Sequence, residues 1–367
     1  MAQKAFFLMP TQYLTLKKND PDFLNQLWGR TETDKRAIPV KTYNLGTEEE
    51  SVTFEVKPIS DIQKPSLMKL IVALVKLKSF ILILFPLFFV LVKNSVDNRF
   101  FDPLSMTIVS IATILLFAGL NIRNDVYDHI SGFDRVNLDS TPKPIRLGWI
   151  SAHKASRISL ILIFISAFIT IPVMILQLEL IRVISVALIL FILGRFAKHN
   201  SYKDRYFAGF ILFMLIGPAL VSGYQVALGA GVDTEVLGFG VLWGYAVMFL
   251  IQVNNFSHIM TSSQSGIKNM MTKLGFDLSQ KFLIVCWLGF IGLWVVFHYN
   301  YASTYWSVFG TILLIFWSLP LFMKIANIKS PMGSGLQVVR KEAYKTFIMM
   351  VFLFFMENLW VIWADLI

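Results

Sequence analysis

The chain has 367 residues, of which 56% are hydrophobic and only 15% are charged, and its mean hydropathy is +0.63. About a quarter of the residues of a soluble domain are charged, so this composition excludes an ordinary soluble protein and predicts that lipid forms part of the solvent. The formal net charge of +10 lies in the connections between apolar runs. This placement suits anionic lipid or a phosphate-bearing substrate and argues against a nucleic-acid partner.

The first 66 residues are polar and mixed in charge, and no motif in them indicates chemistry. We predict a cytoplasmic extension over residues 1–66, followed by a membrane domain over residues 67–367. The extension has patterns for a short helix near Pro21 to Trp28 and a strand near Val52 to Val56. It is expected either to pack on the membrane domain or to bind a protein partner.

Apolar runs begin after Pro65, and a helix needs roughly 20 apolar residues to cross the hydrocarbon. Backbone groups in lipid must pair within their own segment, so these runs predict helices and not strands. The predicted fold is therefore an all-α, polytopic membrane protein with about nine transmembrane helices. The predicted spans are 70–93, 104–122, 155–176, 179–196, 207–229, 237–254, 282–299, 304–325 and 345–366.

The loops between these spans differ in charge, and this difference predicts the orientation. Lysine and arginine are concentrated in the loops at 123–154, 197–206, 255–281 and 326–344, and the alternate loops hold few cations. By the positive-inside rule the first set faces the cytoplasm. We therefore expect an integral protein of the inner (plasma) membrane of a bacterium, with its N-terminus and active site inside and its C-terminus outside.

A cluster of carboxylates and amides closes the second predicted span. Asn121, Asn124, Asp125 and Asp128 recur three and four residues apart and share one helical face, and Asp134 follows shortly after. Oxygen ligands of this kind suit Mg²⁺, which binds through one or two carboxylates plus substrate phosphates. The plain alternative is a solvated helix end. The candidate catalytic residues are Asn124, Asp125, Asp128 and Asp134, and the candidate metal ligands are Asn124, Asp125 and Asp128.

Basic loops follow this cluster. Lys143 and Arg146 lie in a segment made rigid by two prolines, and Tyr202 and Lys203 lie in a later loop. Such cations can face a diphosphate, although each of them, taken singly, is equally explained by membrane topology. The candidate diphosphate-binding residues are Arg123, Lys143, Arg146, Tyr202, Lys203 and Lys268. Beyond them, Gly217-Pro218 is expected to kink the fifth span.

These residues resemble a known family. The pattern from Asn124 and Asp125 through Asp128 and Gly132 to Asp134 resembles the first aspartate-rich motif of the UbiA superfamily of membrane prenyltransferases. With Gly132 before its last aspartate, the motif is most similar to that of the menaquinone branch, which acts on 1,4-dihydroxy-2-naphthoate. The resemblance covers about residues 70–366 and includes Pro144-Ile145, Gly148-x-Ile150-Ser151, Tyr202-Lys203 and Gly217-Pro218. It implies helices around a central cavity, Mg²⁺ as cofactor, and a polyprenyl diphosphate and an acceptor as substrates.

The chain departs from the family at the second aspartate motif, which follows the sixth span. The paired Asn254 and Asn255 fit the menaquinone-branch pattern, as do Gly266 and the closing Lys273-Leu274-Gly275. His258 and Ser262, however, stand where that pattern has its two aspartates. The degraded second motif thus comprises Asn254, Asn255, His258 and Ser262. Imidazole favours Zn²⁺ over Mg²⁺, and we expect His258 to be a neutral hydrogen-bonding residue.

Three interpretations follow from the intact first motif and the degraded second one. The first is a prenyltransferase that uses one carboxylate-held Mg²⁺ and compensating cations, with Lys268 nearest in sequence. The second is a non-catalytic homologue that binds an isoprenoid or quinone-like lipid, or a protein partner. The third is a transporter with a carboxylate relay in the membrane, but paired interrupted spans in the two halves, which would favour it, are not evident in the sequence.

Overall fold

The structure is a computed structural model. It describes residues 12–30, 34–97, 99, 102–136, 142–195, 208–301, 304–332 and 335–365. The chain divides into two compact units. The first unit comprises Met1–Leu77 and Ala118–Ile163, and the second comprises Lys78–Phe117 and Phe164–Ile367. The N-terminal extension therefore belongs to the same unit as the segment that carries the first aspartate motif.

The extension forms a three-stranded antiparallel sheet of β1 (Gln12–Lys17), β2 (Lys35–Tyr43) and β3 (Ser51–Pro58), in the order β1-β3-β2. Val52 and Phe54 of β3 alternate with less buried neighbours and pack with Phe23 and Leu27 of α1 in one small core. The predicted helix and the predicted strand are confirmed, and two further strands pair with that strand. The helix α1 (Phe23–Trp28) lies between β1 and β2 in the chain.

The rest of the described chain is helical, which confirms the predicted polytopic α-helical class. In chain order the α-helices are α2 (Leu67–Val75), α3 (Ile81–Val96), α4 (Pro103–Ile130), α5 (Phe133–Val136), α6 (Ala152–Leu176), α7 (Leu178–Arg195), α8 (Ala208–Met214), α9 (Leu220–Ala227), α10 (Thr234–Ser257), α11 (Ile259–Gln264), α12 (Met270–Tyr301), α13 (Thr304–Asn327) and α14 (Gly335–Asp365). The longer helices include most of the predicted spans, but some extend well beyond them: α4 ends at Ile130 and not at 122, α12 begins at Met270 and not at 282, and α14 begins at Gly335 and not at 345.

Among the described residues, 7 helical segments are long and apolar enough to cross a membrane. The other two of the nine predicted spans correspond to α7 and α14, which are helical but are not among those seven. The first predicted span, 70–93, begins too early. Lys76 adopts a left-handed conformation with φ 56° after α2, so the membrane-crossing segment starts at Leu77 and runs through a 3₁₀ turn into α3.

The second unit has an aromatic core and one very close helix crossing. Phe89 and Phe239 stack with their ring centroids 3.7 Å apart. Gly217 has non-helical φ and ψ of −93° and −106° within a single π-helical turn over Leu215–Ala219, so the predicted kink at Gly217-Pro218 is confirmed. A Cβ atom on Gly217 would collide with the Gly240 carbonyl. Glycine is needed here because the helices approach backbone to backbone.

Candidate active site at the first aspartate motif

Three buried carboxylates lie at the end of α4 and just beyond it. Asp125, Asp128 and Asp134 are 3%, 1% and 1% exposed, while Asn124 is half-buried. The spacing on α4 places the first two one turn apart. Gly132, with φ 85°, then reverses the chain into α5, which carries Asp134. Buried carboxylates are costly unless they are paired, so their partners determine what this site can do.

Two lysines supply positive charge to these carboxylates. Lys76 Nζ lies 2.5 Å from Asp125 Oδ1. Lys143 Nζ lies 3.5 Å from the same oxygen and 3.2 Å from Asp134 Oδ1. Burial alone would lower the pKa of Lys143, but the carboxylates of Asp125, Asp134 and Asp128 outweigh burial and raise that pKa above its usual value. Lys143 therefore keeps its positive charge within the motif.

Lys76 is not among the predicted site residues. The residue caps the C-terminal end of α2, and Asn121 Nδ2 donates to the Val75 carbonyl at 2.9 Å, which ties this end of α2 to α4. Hydropathy averaged over residues 70–93 hides the three lysines in that run, Lys76, Lys78 and Lys93. A signal was nonetheless present, because an ionisable residue inside an apolar run marks a functional candidate by default.

The loop before α6 is held against the motif and against the sheet. Arg146 Nη1 donates to the Asp134 main-chain carbonyl at 3.1 Å, which places one of the predicted phosphate-binding cations on the motif itself. Gly148, with φ 73°, leaves no room for a Cβ atom because Ile38 of β2 lies there. Ser151 then begins α6 by accepting from the Lys154 N–H at 3.2 Å.

The extension makes direct contacts with the motif segment. Glu50 Oε1 lies 2.9 Å from Arg135 Nη1, and both side chains are buried, at 8% and 3% exposure. His129 Nε2 lies 3.2 Å from the Leu27 carbonyl of α1. Burial lowers the pKa of Arg135, and Glu50 opposes that effect. Of the two roles expected for the extension, the structure thus shows packing, here on the residues around the first motif.

The donor set of the motif fits one Mg²⁺ ion. Among the described residues no three His, Cys, Asp or Glu side chains form a ready-made metal cluster. Mg²⁺, however, usually keeps several waters and takes other oxygens from phosphate, so one or two carboxylates suffice. Asp125 Oδ2 is buried and has no hydrogen-bond partner in the described part of the chain. Asn124, Asp125 and Asp128 remain the residues that would hold the ion.

The second motif lies in the second unit, where α10 ends and α11 begins. Asn254 and Asn255 are half-buried, Ser262 is buried and Lys268 is exposed. His258 is half-buried, and its Nε2 lies 2.7 Å from Arg340 Nη1 of α14. Arg340 is one of the cations in the cation-rich segment 326–344, which is predicted to face the cytoplasm. The contact joins residues 82 positions apart, so no local pattern could have predicted it.

The remaining predicted residues are Arg123, which is half-buried on α4 and engaged in an interaction, and Tyr202 and Lys203. The last two lie outside the described residues. Their predicted role in phosphate binding therefore stays a prediction. The described part of the basic set is concentrated around the first motif, where Lys143 and Arg146 contact Asp134.

No protein-family model and no curated protein sequence matches the chain. Solved structures do match it. A digeranylgeranylglyceryl phosphate synthase is 18% identical with a TM-score of 0.55, over 79% of this chain and 98% of the other.

Two archaeal proteins show the same likeness. A UbiA homologue from Archaeoglobus fulgidus, bound to DMAPP and Mg²⁺, is 12% identical with a TM-score of 0.55, over 80% of this chain and 98% of that one. A UbiA homologue from Aeropyrum pernix K1, solved without ligand, is 14% identical with a TM-score of 0.52, over 83% of this chain and 100% of that one. The chain is thus an integral membrane protein with the fold of the UbiA homologues.

Proposed function

We propose that the chain is a membrane prenyltransferase that moves a prenyl group from an allylic (poly)prenyl diphosphate to an aromatic or other lipid-pathway acceptor. The observation that carries this proposal is the buried cluster of Asp125, Asp128, Asp134 and Lys143. It combines metal-type oxygen ligands with a fixed cation. The fold supports the proposal, because a solved neighbour with that fold binds DMAPP and Mg²⁺.

In this reaction the allylic C–O bond breaks, and the diphosphate leaves with the electron pair. The prenyl carbon then bonds to a nucleophilic atom of the acceptor, which gives up a proton. Negative charge grows on the leaving diphosphate, so fixed cations and polar donors that already face it lower the barrier. Lys143 and Arg146 lie at the motif beside Lys76, and Arg123, Tyr202, Lys203 and Lys268 complete the proposed diphosphate-binding set. Bound Mg²⁺ would add charge stabilisation at the phosphate oxygens.

The acceptor we favour is an aromatic ring of the 1,4-dihydroxy-2-naphthoate type. The support is the sequence pattern alone: Gly132 ahead of Asp134, the Asn254-Asn255 pair, and Lys273-Leu274-Gly275. In the structure Gly132 and Gly275 both have positive φ, at 85° and 75°, so each marks a backbone turn that other residues adopt only with strain. The prenyl length stays open in this proposal.

A second candidate function is binding of an isoprenoid or quinone-like lipid without transfer. The observation that favours it is the second motif. Residues 254–268 contain no carboxylate, and His258 is hydrogen-bonded to an arginine. A chain that had lost the chemistry while keeping a lipid site would show this combination.

One assay separates the two candidates. The unaltered protein in lipid nanodiscs is incubated with labelled geranyl diphosphate, MgCl₂ and 1,4-dihydroxy-2-naphthoate, and released diphosphate and prenylated product are measured. A matched Asp125→Asn protein is the control. Product that depends on Asp125 supports the transferase. Tight binding without product supports the lipid-binding protein. The assay is repeated with longer allylic diphosphates, and failure to bind any of them contradicts the transferase proposal.

We also propose that the site faces the cytoplasm, as the cation-rich loops predict. The test uses single cysteines in a Cys286→Ala background, at the exposed Gln264 beyond the second motif and at the exposed Gly231 between α9 and α10. A membrane-impermeant thiol reagent applied to intact cells should label position 231 and leave position 264 unlabelled. The reverse pattern would contradict the orientation.

A further inference from the structure

The N-terminal extension contains a buried arginine that has no charged partner among the described residues. Arg36 of β2 is 9% exposed, and its Nε is buried without a hydrogen-bond partner. Burial lowers the pKa of the Arg36 guanidinium, and no carboxylate opposes that effect. Burying a charge is costly unless the charge is paired. An arginine in these surroundings is suited to receive an anion from outside the chain.

The neighbouring charges on the sheet do not neutralise Arg36. The strand position opposite Arg36 is Lys57 of β3, another cation, whose Nζ pairs with Glu55 Oε2 at 3.0 Å. Asp34, two positions before Arg36, is exposed and forms no ion pair with it. The contrast is with Arg135, whose buried guanidinium lies 2.9 Å from Glu50 Oε1. Arg36 is thus the buried cation of the extension that lacks such a carboxylate in the described part of the chain.

Two glycines bring Arg36 against the segment that begins α6. A Cβ atom on Gly29, which follows α1, would lie 3.1 Å from Arg36 Nη1 and 2.9 Å from Ser151 Cβ. A Cβ atom on Gly148 would lie 3.3 Å from Arg36 Cγ. The tip of Arg36 and Ser151 therefore border the same point, at the N-terminus of α6. All four residues belong to the first compact unit.

The N-terminus of α6 adds hydrogen-bond donors at this point. The first N–H groups of a helix have no acceptor within the helix, and the helix dipole is positive there. Ser151 Oγ accepts from one of them, the Lys154 N–H, at 3.2 Å, and its own hydroxyl proton can still be donated. The first turn of α6 contains no acidic residue, and the helix has 25 residues. Phosphate groups commonly bind at such helix ends.

The surroundings of this point are positive and lie at the end of a membrane-crossing helix. Arg30, Lys154 and Arg157 are exposed cations next to Gly29 and on the first turns of α6. Exposed cations of this kind raise the local concentration of anions. The helix α6 is one of the seven described segments that are long and apolar enough to cross a membrane. Its N-terminus is therefore expected near the level of the lipid headgroups.

We propose that Arg36, Ser151 and the first turn of α6 form a binding site for a phosphate group. The guanidinium of Arg36 would neutralise the phosphate, because its planar fork of donors matches phosphate oxygens. Ser151 Oγ and the first N–H groups of α6 would donate to the other oxygens. The phosphate belongs either to the headgroup of an anionic lipid or to a soluble phosphate. The inference does not rest on the proposed function, because this site uses none of the carboxylates of the first motif.

The first experiment measures binding of ³²P-labelled inorganic phosphate to the full chain in an uncharged detergent, after bound lipid has been removed and without Mg²⁺. Arg36→Gln should weaken phosphate binding about tenfold to a hundredfold, the range for a hydrogen bond to a charged group. Arg36→Lys should restore part of the affinity, since lysine keeps the charge without the fork. Lys41→Gln, which changes an exposed cation on the same strand, should bind phosphate like the unaltered protein.

The second experiment tests a lipid as the source of the phosphate. The same proteins are placed in nanodiscs of phosphatidylglycerol and phosphatidylcholine, and native mass spectrometry counts the lipid that each protein retains in detergent. Retained phosphatidylglycerol that is lost in Arg36→Gln but not in Lys41→Gln assigns the site to a lipid headgroup. Binding of inorganic phosphate that depends on Arg36, without retained lipid, assigns it to a soluble anion. If neither depends on Arg36, the inference is wrong.

Thermal melting separates a binding role of Arg36 from a purely structural one. Replacing a buried charge by an apolar side chain is often neutral or stabilising. Without lipid and phosphate, Arg36→Met should therefore melt at the temperature of the unaltered protein or above it. Added phosphate should raise the melting temperature of the unaltered protein, as a ligand of the folded state does, and leave that of Arg36→Met unchanged.

A melting temperature of Arg36→Met far below that of the unaltered protein, without lipid and phosphate, would mean that the chain itself supplies the partner and would overturn the inference. Glu32 lies outside the described residues, so Glu32→Gln is measured alongside. An equal fall in the two variants would identify Glu32 as that partner.

Discussion

The segments that carry the first and the second motif differ in their charged side chains. At the first motif three buried carboxylates persist, and Lys76 and Lys143 balance part of their charge. In the second motif, residues 254–268 contain no carboxylate, and Arg340 Nη1 lies 2.7 Å from His258 Nε2.

The largest expected effect is at the first motif. Asp125→Asn removes the charge that Lys76 and Lys143 share, along with the carboxylate whose second oxygen is buried without a partner among the described residues. We expect the Mg²⁺-dependent affinity for geranyl diphosphate to fall more than about 100-fold. Mutating a residue that only supports a metal ligand typically lowers metal affinity or activity about 10–100-fold. Equilibrium binding in nanodiscs measures this.

The control for this prediction is Asp277→Asn, an exposed carboxylate on α12, which should bind normally. Ser262→Ala at the second motif should also have little effect, because a serine hydroxyl is a poor metal ligand. If Asp125→Asn and Ser262→Ala behaved alike, the proposed contrast between the two motifs would be lost.

A second prediction concerns the sheet that holds the first motif in place. Glu50→Gln leaves Arg135 buried without its charged partner, and breaking a buried pair in this way costs about 3–5 kcal/mol. We expect a marked fall in thermal melting temperature, together with weaker diphosphate binding. Glu55→Gln disrupts the more exposed pair with Lys57, whose side chains are 21% and 27% exposed, and should cost less than about 1 kcal/mol. Equal melting temperatures would show that the extension does not support the motif.

A third, smaller effect is expected for Lys76. Its ammonium lies beside the oxygen of Asp125 that a metal ion would also approach, so Lys76→Met should remove a competitor. The half-saturating Mg²⁺ concentration for diphosphate binding should fall about fivefold, equivalent to about 1 kcal/mol, the upper end for a partly exposed ion pair. Lys78→Met, an exposed neighbour, is the matched control. A higher Mg²⁺ requirement in Lys76→Met would mean that Lys76 helps the metal to bind.

The last prediction is an absence of pH dependence. The pKa of Lys143 is raised in the folded protein, so its charge and its stabilising contribution persist below the ordinary lysine pKa of about 10.4 and disappear only as the pH rises through the raised value. The loss of diphosphate affinity caused by Lys143→Gln should therefore be constant from about pH 6 to about pH 9. A penalty that shrinks towards the alkaline end would show that Lys143 loses its proton in that range.

Much of the fold follows from local sequence patterns, because apolar runs of sufficient length are helices in lipid. Val52 and Phe54 alternate with more polar residues and mark β3, whereas β1 and β2 depend on pairing with β3 and have weaker patterns of their own. The features that the sequence did not predict depend on the backbone conformation of a single residue or on a contact between distant parts of the chain. Lys76 ends α2 through its backbone conformation, and Arg340 meets His258 only once α10 and α14 have packed.

The left-handed junction at Lys76 connects the site to its lipid surroundings. The preceding helix, α2, exposes Leu67, Met68, Ile71 and Val72, a face suited to the headgroup boundary of a bilayer. One residue joins that face to the ammonium beside Asp125. Because Lys76 directly follows α2, any rotation of that helix would change the distance between this ammonium and Asp125.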